Sequence, residues 1–438
     1  MSFNVGLSGL NAANTALNVT GNNIANSATT GFKSSRAEFG DVYANSLFLG
    51  SAKNGVGSGV TTEQISQQFT QGTITNTGAS LDLAINGNGF FITSDNGSRV
   101  YTRAGAFGTD KAGNIVDANN NQLLGYGVDA DGKVIQGVMT PLKVDTSALA
   151  PKPTDTLSET MNLNSSSAAP SVTPFSASDT NTYNYSFSTD IYDSQGNSHS
   201  MTQYFVKTGT NSWSMYATVD GVNPSDPSST EPYQVDMTFS SSGALATATP
   251  VTPTVGKGFT VSGTGKFLMD DWTPSAKNAA GVMVPNGSAQ AAGGLNLNMA
   301  DTTSYNTSSA VTAKDQNGYA TGSLSSLSID AQGNLFGTYS NGKSKTIGQV
   351  VLANFANVQG LTPNGNTGWR ESAASGVPVV GTPESGTMGT LNAGALEESN
   401  VDLTAELVNL IKAQSNYQAN AKTISTESTI MQTIIQMT

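Results

Sequence analysis

Large apolar residues recur at alternating spacings of three and four positions at both ends of the chain. We call the twelve of them the terminal stripe: Phe3, Leu7, Leu10, Leu17, Ile24, Leu403, Leu407, Leu410, Tyr417, Ile424, Met431 and Ile435. This spacing is typical of a coiled-coil seam, in which polar residues such as Asn14 and Gln414 set the register. The pattern predicts two terminal helices, 1–26 and 400–438, that form one coiled-coil core.

The simpler alternative is that each terminal helix lies on a globular core of its own. Two matched stripes at opposite ends make this less attractive. About twelve apolar side chains, at roughly 2 kcal/mol each, oppose the ordering of some fifty residues at about 1–2 kcal/mol apiece. The pair is therefore marginal by itself, and we expect full order only when neighbouring copies cover it. This balance indicates a polymer.

The segment 27–72 follows the first helix and is rich in Gly and Ser. Gly55, Gly57 and Gly59 favour a flexible linker. A linker seldom carries so many large apolar residues, here Phe39, Val42, Tyr43, Leu47, Phe48 and Leu49. We interpret 27–72 as an extended joint that packs on neighbouring subunits.

Strand patterns fill the middle of the chain. Segments 81–85 and 90–93 favour strands, and the composition shifts to Ser, Thr, Pro and Ala between 146 and 320. Strands are still indicated at 183–187, 203–206 and 213–217. The composition and strand pattern seen before residue 146 recur at 324–329, 335–339 and 347–353. We predict a discontinuous first β domain, 73–145 and 321–392, and an inserted outer β domain, 146–320. The predicted fold class is multidomain α+β, with two mainly antiparallel all-β domains between the coiled-coil helices.

Asp-x-x-Gly segments precede several of these strands, at Asp110, Asp129, Asp193 and Asp330. A calcium loop needs further oxygen ligands at fixed offsets and a closing glutamate, which these segments lack. They predict hairpin turns. Near the C-terminus, Ser399 or Asn400 can cap the last helix, and Asp402 and Glu406 are expected to lie favourably near its positive end.

Composition narrows the function classes. The 438-residue chain has no cysteine and a single histidine, His199, which excludes thiolate chemistry and histidine metal clusters. A net charge of −12 argues against nucleic acid as a partner. We find no cleavable secretory signal and no apolar run as long as a membrane span. The sequence predicts no cofactor, no metal and no membrane insertion.

No catalytic constellation accompanies these features. His199 lies in a turn-like context without a nucleophile elbow, and no phosphate-binding loop is found. A carboxylate pair for glycoside hydrolysis stays open, with Asp270, Asp271 and Trp272 as its best cluster, although a solvated turn is favoured. The sequence predicts that the protein is not an enzyme.

Two terminal motifs and part of the first β domain carry a family resemblance. Residues 7–13 (LSGLNAA), 18–26 (NVTGNNIAN) and 30–34 (TGFKS), with 396–402 (LEESNVD) and 410–422 (LIKAQSNYQANAK), are similar to the signatures of the bacterial flagellar rod and hook proteins. Residues 86–91, 101–107 and 124–126 resemble the β domain shared by these families. The family-motif residues are Asn22, Asn26, Thr30, Gly31, Phe32 and Lys33.

The resemblance implies a structural subunit that polymerises. Length and the large insertion favour the hook members, which implies a flexible curved tube that acts as a universal joint between rod and filament. It further implies an extracellular place in the flagellum, attached to the basal body. The implied partners are copies of the chain, distal rod, hook cap and hook–filament junction proteins, and the flagellar type III export machinery. A distal rod protein or another axial component is the alternative, and a surface adhesin a more remote one.

Overall fold

The chain divides into two compact units. The computed structural model describes residues 2–42, 57–129 and 132–437. Unit 1 comprises Met1–Thr146, Ser325–Thr338 and Ser344–Thr438, and unit 2 comprises Ser147–Leu324 and Tyr339–Lys343. The domain boundaries predicted from composition run close to these limits and stay a prediction.

Both long helices belong to unit 1. Helix α1 spans Ser2–Ala25 and ends where the turn residues after it predict, and α2 spans Leu403–Met437. The expected cap of α2 was wrong. The carboxylate of Asp402 accepts hydrogen bonds from the backbone N–H groups of Thr404 (2.9 Å) and Ala405 (3.1 Å), which satisfies donors at the positive end of the helix.

The strands of unit 1 flank the insertion. They are β1 (Ser35–Asp41), β2 (Val60–Gln67), β3 (Ile74–Asn76), β4 (Leu83–Asn86), β5 (Phe90–Asp95), β6 (Ser98–Thr102), β7 (Gly108–Thr109), β8 (Ile115–Val116), β9 (Gln122–Val128) and β10 (Val134–Pro141) before it, and β23 (Leu324–Ile329), β24 (Asn334–Tyr339), β25 (Ser344–Val350), β26 (Leu352–Asn354), β27 (Thr362–Gly365), β28 (Gly368–Arg370), β29 (Val379–Gly381), β30 (Thr390–Ala393) and β31 (Ala395–Glu397) after it. A one-turn 3₁₀ helix spans Val358–Gly360.

Strands from both sides of the insertion share one sheet. Its main path runs β23-β24-β25-β9-β5-β6-β28-β27, and β26 pairs with β5. Strands that precede the insertion and strands that follow it therefore lie in the same sheet. Its core is strongly aromatic: Phe90, Tyr101 and Trp369 are buried together with Phe355, and the Tyr101 and Phe355 rings meet edge to face at 4.8 Å.

Unit 2 is a sandwich of two five-stranded sheets. Its strands are β11 (Thr156–Asn162), β12 (Tyr185–Tyr192), β13 (Ser198–Gly209), β14 (Ser212–Val219), β15 (Tyr233–Phe239), β16 (Leu245–Val251), β17 (Thr260–Gly263), β18 (Lys266–Met269), β19 (Ser275–Lys277), β20 (Met283–Pro285), β21 (Leu295–Asn298) and β22 (Ala310–Gln316), with a 3₁₀ turn at Thr180–Thr182. One sheet has the order β17-β18-β21-β11-β22 and the other β12-β13-β14-β15-β16. Alternating residues from both sheets, such as Phe205, Trp213 and Phe267, fill the core between them.

The Asp-x-x-Gly segments at Asp110, Asp193 and Asp330 are hairpin turns, as predicted, whereas part of the segment at Asp129 lies outside the described residues. In the turn at Asp193, the carboxylate accepts hydrogen bonds from the backbone N–H groups of Gln195 and Asn197, both at 2.9 Å. Gly196 adopts a φ of 82°, which glycine reaches without strain. The turns at Asp110 and Asp330 repeat the pattern. In the described residues, no group of His, Asp or Glu side chains is arranged to hold a metal ion.

Candidate assembly interface

The terminal helices lie antiparallel against each other. An added Cβ at Gly6 would lie 3.1 Å from Ile424, and one at Gly9 would lie 2.5 Å from the side-chain oxygen of Asn420. At the other end of α1, the Asn23 amide donates to the Glu406 carboxylate at 3.3 Å. Small residues on α1 therefore let the two backbones approach closely, and this pairing confirms the predicted coiled-coil arrangement of the ends.

The contact between α1 and α2 uses a face next to the terminal stripe. Its most buried residues are Gly6, Ala13, Thr20 and Asn23 of α1 and Ala413 of α2. Five stripe residues border this face and are half-buried: Leu10, Leu17, Ile24, Leu410 and Ile424. Seven others are exposed: Phe3, Leu7, Leu403, Leu407, Tyr417, Met431 and Ile435. Small residues therefore form the contact between α1 and α2, and most large apolar side chains of the terminal stripe face away from that contact.

A two-stranded hairpin packs beside α1. Strands β1 and β2 pair with each other, and Asn23 fixes the hairpin to the helix. Its amide donates to the backbone carbonyl of Ser35 at 2.8 Å, and its side-chain oxygen accepts from the Ser35 N–H at 2.9 Å. The hairpin lies within the predicted joint, 27–72. Of the aromatic and aliphatic residues noted there, Tyr43, Leu47, Phe48 and Leu49 lie outside the described residues.

Glu38 on β1 accepts hydrogen bonds from several side chains of this hairpin. Glu38 accepts hydrogen bonds from Ser66 at 2.7 Å, Arg36 at 3.0 Å and Gln64 at 3.0 Å. These bonds, that from Ser66 first, lower the pKa of Glu38 to about 2. The carboxylate therefore stays ionised at any ordinary pH and links β1 to β2.

The family-motif residues lie where α1 ends and the chain enters the β region of unit 1. The Asn26 amide donates to the Asn22 carbonyl at 3.0 Å and closes the last turn of the helix. Thr30 and Phe32 line a cavity of about 910 Å³. Gly31 has a φ of 68°, and an added Cβ would collide with the backbone of Ala104. Glycine is required there by conformation and by space.

Lys33 belongs to a buried cluster of three charges. Its ammonium group lies 2.6 Å from one carboxylate oxygen of Glu397, and the Arg103 guanidinium lies 3.1 Å from the other. The side chains of Lys33 and Glu397 are fully buried, and that of Arg103 is 6% exposed. Burial lowers the pKa of both Lys33 and Arg103, although Glu397 acts in the opposite direction. Glu397 is the counterion of both cations, so its loss would leave two positive charges buried without a partner of opposite charge.

The cluster ties together segments that are far apart in sequence. Lys33 also donates to the carbonyl of Thr70 at 2.7 Å, and Arg103 donates to the carbonyl of Gly87 at 2.7 Å. The Gly72 N–H donates to Glu397 at 2.9 Å. Both terminal segments are thus joined to the β region at one point. We call Lys33, Arg103 and Glu397 the charge clamp.

Asn400 makes a second connection between the ends. Its side-chain oxygen accepts from the Ser34 N–H at 2.8 Å, and its amide donates to the carbonyls of Gln68 at 2.6 Å and Thr70 at 3.1 Å. The residue expected to cap α2 instead holds three backbone segments together just before the helix.

The residues weighed for catalysis have structural contacts. Asp270 forms an ion pair with Lys257 at 3.3 Å, and Asp271 accepts a hydrogen bond from the Tyr233 hydroxyl at 2.6 Å. Trp272 is buried rather than part of a solvated turn. His199, expected in a turn-like context, lies instead in β13 and is buried. Asp270 and Asp271 thus contact different partners in unit 2.

Sequence reasoning missed two parts of this region. The roles of Arg103 and Glu397 were not predicted, although both lie in the motif segments 101–107 and 396–402. A charged residue inside an otherwise apolar or glycine-rich motif was the available signal, because such a residue is seldom buried unless it is paired. The small residues of α1 do predict from the sequence that helices can approach closely there, but the face by which α1 contacts α2 was not predicted, because the large apolar residues dominated the pattern. No helix of the described residues is long and apolar enough to cross a membrane.

Four family descriptions match successive parts of the chain. "Flagella basal body rod protein" matches residues 3–33, and "Flagellar hook protein FlgE/F/G D1 domain" matches 84–150. "Flagellar basal body protein FlaE D2 domain" matches 162–319, and "Flagellar basal body rod FlgEFG protein C-terminal" matches 392–437. The matched segments include both terminal helices and most of unit 2.

Several known proteins are similar to this chain over its whole length. A protein of Escherichia coli (strain K12) named flagellar hook protein FlgE is 42% identical over 441 residues and covers 100% of both chains. A namesake from Treponema pallidum (strain Nichols) is 33% identical and covers 99% of this chain and 98% of its own. The crystal structure of Helicobacter pylori flagellar hook protein FlgE2 covers 74% of this chain and 100% of its own, with a TM-score of 0.50 and 13% identity. That likeness concerns the fold alone.

Proposed function

The chain belongs to the flagellar hook protein family, and we propose that it assembles into the hook tube through the exposed part of its terminal stripe. It is a structural subunit of the hook and a polymeric axial component of the flagellum. The finer proposal concerns which surface joins the copies, what the tube does, and which proteins lie at its two ends.

The observation that carries the proposal is the exposure of large apolar residues on paired helices. Leu7, Leu403 and Leu407 are 43%, 47% and 46% exposed. Full burial of a leucine contributes roughly 1.5–3 kcal/mol, so covering each of these contributes on the order of 1 kcal/mol. Since about 1.4 kcal/mol corresponds to a tenfold change in affinity, seven such residues supply a substantial part of the association energy.

The two helices differ in length in a way that favours contact between copies. Helix α2 has 35 residues and α1 has 24. Because the helices are antiparallel and Gly6 lies opposite Ile424, α2 continues past the start of α1. The continuation includes Met431, which is 59% exposed. A neighbouring copy is the partner that would cover it in a polymer.

The remaining roles follow from the family. We expect an extracellular, curved and flexible tube that transmits torque from rod to filament as a universal joint. The expected neighbours are distal rod, hook cap and hook–filament junction proteins, and subunits are expected to leave the cell through the flagellar type III export machinery. A structural role without catalysis is supported by the separate partners of Asp270 and Asp271. The distal rod alternative is not favoured, because relatives that match over the full length are named hook proteins.

Replacement of Leu407 by aspartate tests the stripe. Leu407 is exposed in the single chain, so Leu407→Asp leaves the α1–α2 contact intact and the monomer folded. In a polymer contact the carboxylate would lose water without gaining a partner, which costs several kcal/mol. We expect soluble monomers and no tubes by electron microscopy.

Lys412→Glu is the matched control. Lys412 is exposed on α2 away from the stripe, and this variant should assemble. Tubes formed by Leu407→Asp at the wild-type subunit concentration would contradict the proposed surface. Helix loss in the Leu407→Asp monomer, seen by circular dichroism, would mean that the residue supports the fold of the single chain instead.

A further inference from the structure

His199 lies buried between two carboxylates in unit 2. Its Nδ1 is 2.7 Å from Oδ2 of Asp220, and its Nε2 is 3.2 Å from Oδ2 of Asp193. The imidazole also meets the Trp272 ring edge to face at 5.2 Å. Ionised carboxylates only accept hydrogen bonds, whereas a neutral imidazole carries one N–H. Both contacts are hydrogen bonds together only when the ring is protonated.

Asp193 links two segments of unit 2. Its Oδ2 accepts hydrogen bonds from Asn197 at 2.8 Å within its own turn, and from Asn286 at 3.0 Å and Ser288 at 2.5 Å in the segment after β20. The two segments also share backbone contacts, because the Ser194 N–H donates to the Ala289 carbonyl at 2.8 Å. The carboxylate that faces His199 is therefore also the point that holds segment 286–289 to the β12–β13 turn.

We propose that His199 is a pH-operated latch of unit 2. The protonated ring offsets one of the two negative charges of Asp193 and Asp220 and holds segment 286–289 against the β12–β13 turn. Loss of the proton leaves one carboxylate facing a ring nitrogen lone pair. The paired segments then separate more readily, and the β19–β20 hairpin that precedes 286–289 loosens with them.

The surroundings of the ring allow this exchange of protons. A cavity of about 640 Å³ is lined by His199 and Asp220 together with Lys277 of β19 and Asn286. From the segment before β19, Trp272 faces the ring, whereas the carboxylates of Asp270 and Asp271 contact Lys257 and Tyr233. Among the described residues, the charged groups that contact the imidazole are therefore Asp193 and Asp220, and Lys277 lines the same cavity.

The direction of the pH effect follows from the contacts. Burial lowers the pKa of His199, but the bonds and charges of Asp220 and Asp193 raise it more, so that it lies above the ordinary 6.5. A group whose pKa is higher in the folded state stabilises the fold below its unfolded pKa. That stabilisation is lost as the pH rises through the folded pKa. The latch is therefore closed below the folded pKa of His199 and opens as the pH rises through it.

Nuclear magnetic resonance of the full-length monomer tests the latch. His199 is the single histidine of the chain, so its imidazole signals are unambiguous. We expect a titration midpoint above 6.5 and two protonated ring nitrogens below it. Over the same pH interval, the hydrogen-exchange protection factors of the Ser194 and Ala289 amides should fall by roughly tenfold for each unit by which the folded pKa exceeds the unfolded one.

Two variants complete the experiment. His199→Gln has no titrating ring, so its protection factors should not change over that interval. Asp190→Asn removes an exposed carboxylate on β12 and should leave the His199 titration as in the wild type. A midpoint at or below 6.5, or protection factors that do not follow the titration, would overturn the proposal. The wild-type titration tests the latch even if the His199→Gln variant does not fold.

Discussion

Glu397→Gln removes the negative member of the charge clamp while keeping its size. Lys33 and Arg103 then remain buried without a countercharge. At the observed separations of 2.6 and 3.1 Å, each ion pair is worth roughly 5–6 kcal/mol before desolvation at an effective dielectric constant of about 20. Breaking a buried ion pair by removing one partner costs about 3–5 kcal/mol net. We expect a loss of that size in the stability of unit 1.

Calorimetry of the full-length monomer measures this loss. One kcal/mol shifts the melting temperature of a domain of 150–250 residues by about 2–4 °C. The transition of unit 1 should therefore fall by roughly 6–20 °C, and that of unit 2 should not move. Glu398→Gln is the matched control, because it makes the same change at the adjacent exposed residue and should shift neither transition.

A second substitution shows whether the charges act together. Lys33→Met in the wild type removes a partner of Glu397, whereas in Glu397→Gln it removes a charge that is already unpaired. Lys33→Met should therefore cost less in the second background, with a coupling of about 0.5–3 kcal/mol. Strict additivity, or a shift of under 2 °C for Glu397→Gln, would refute the reasoning that the clamp is an interdependent buried cluster.

Three further predictions concern the helix pair, the motif glycine and the insertion. Gly9→Leu should weaken the α1–α2 contact by about 1–3 kcal/mol, measured by thermal loss of circular dichroism, whereas Gly21→Leu, with no atom near an added Cβ, should not. Gly31→Ala should destabilise unit 1 in urea by more than Gly78→Ala. Both positions have positive φ, which costs about 1–2 kcal/mol for alanine, but Gly31 alone of the two also meets backbone atoms. Replacing residues 147–324 by a short Gly/Ser linker should leave a chain that still forms tubes in electron micrographs, since strands from both sides of the insertion share one sheet; failure to polymerise despite a folded unit 1 would count against this architecture.

The terminal helices show which features could be predicted from the sequence and which could not. Spacing alone predicted both helices and their pairing, because a repeat of three and four positions has no other regular structure that suits it. It did not predict the face of closest contact. That face is decided by how near two backbones can approach, and Gly6, Gly9 and Ala13 allow an approach that the larger Leu7 does not.

The β strands could also be predicted only in part from the sequence. Turn residues and alternation indicated the strands, and the return of the earlier composition after residue 320 indicated that the first β domain resumes. The charge clamp could not be derived in this way, since Lys33 and Glu397 meet across 364 positions of sequence. Spacing along the chain carries no information on such a contact. His199 was missed for a similar reason, because Asp220 and Asn286 reach its surroundings from separate turns.

A thiol placed on the terminal stripe tests most directly whether the stripe joins the copies. The chain contains no cysteine, so Leu407→Cys carries a single thiol, at a position that is 46% exposed in the monomer. Its rate of modification by a small water-soluble maleimide should be high in monomers and at least about tenfold lower in assembled tubes, because the contact between copies must first open at a cost of about 1.4 kcal/mol or more. Equal rates in monomers and tubes would contradict assembly through the terminal stripe.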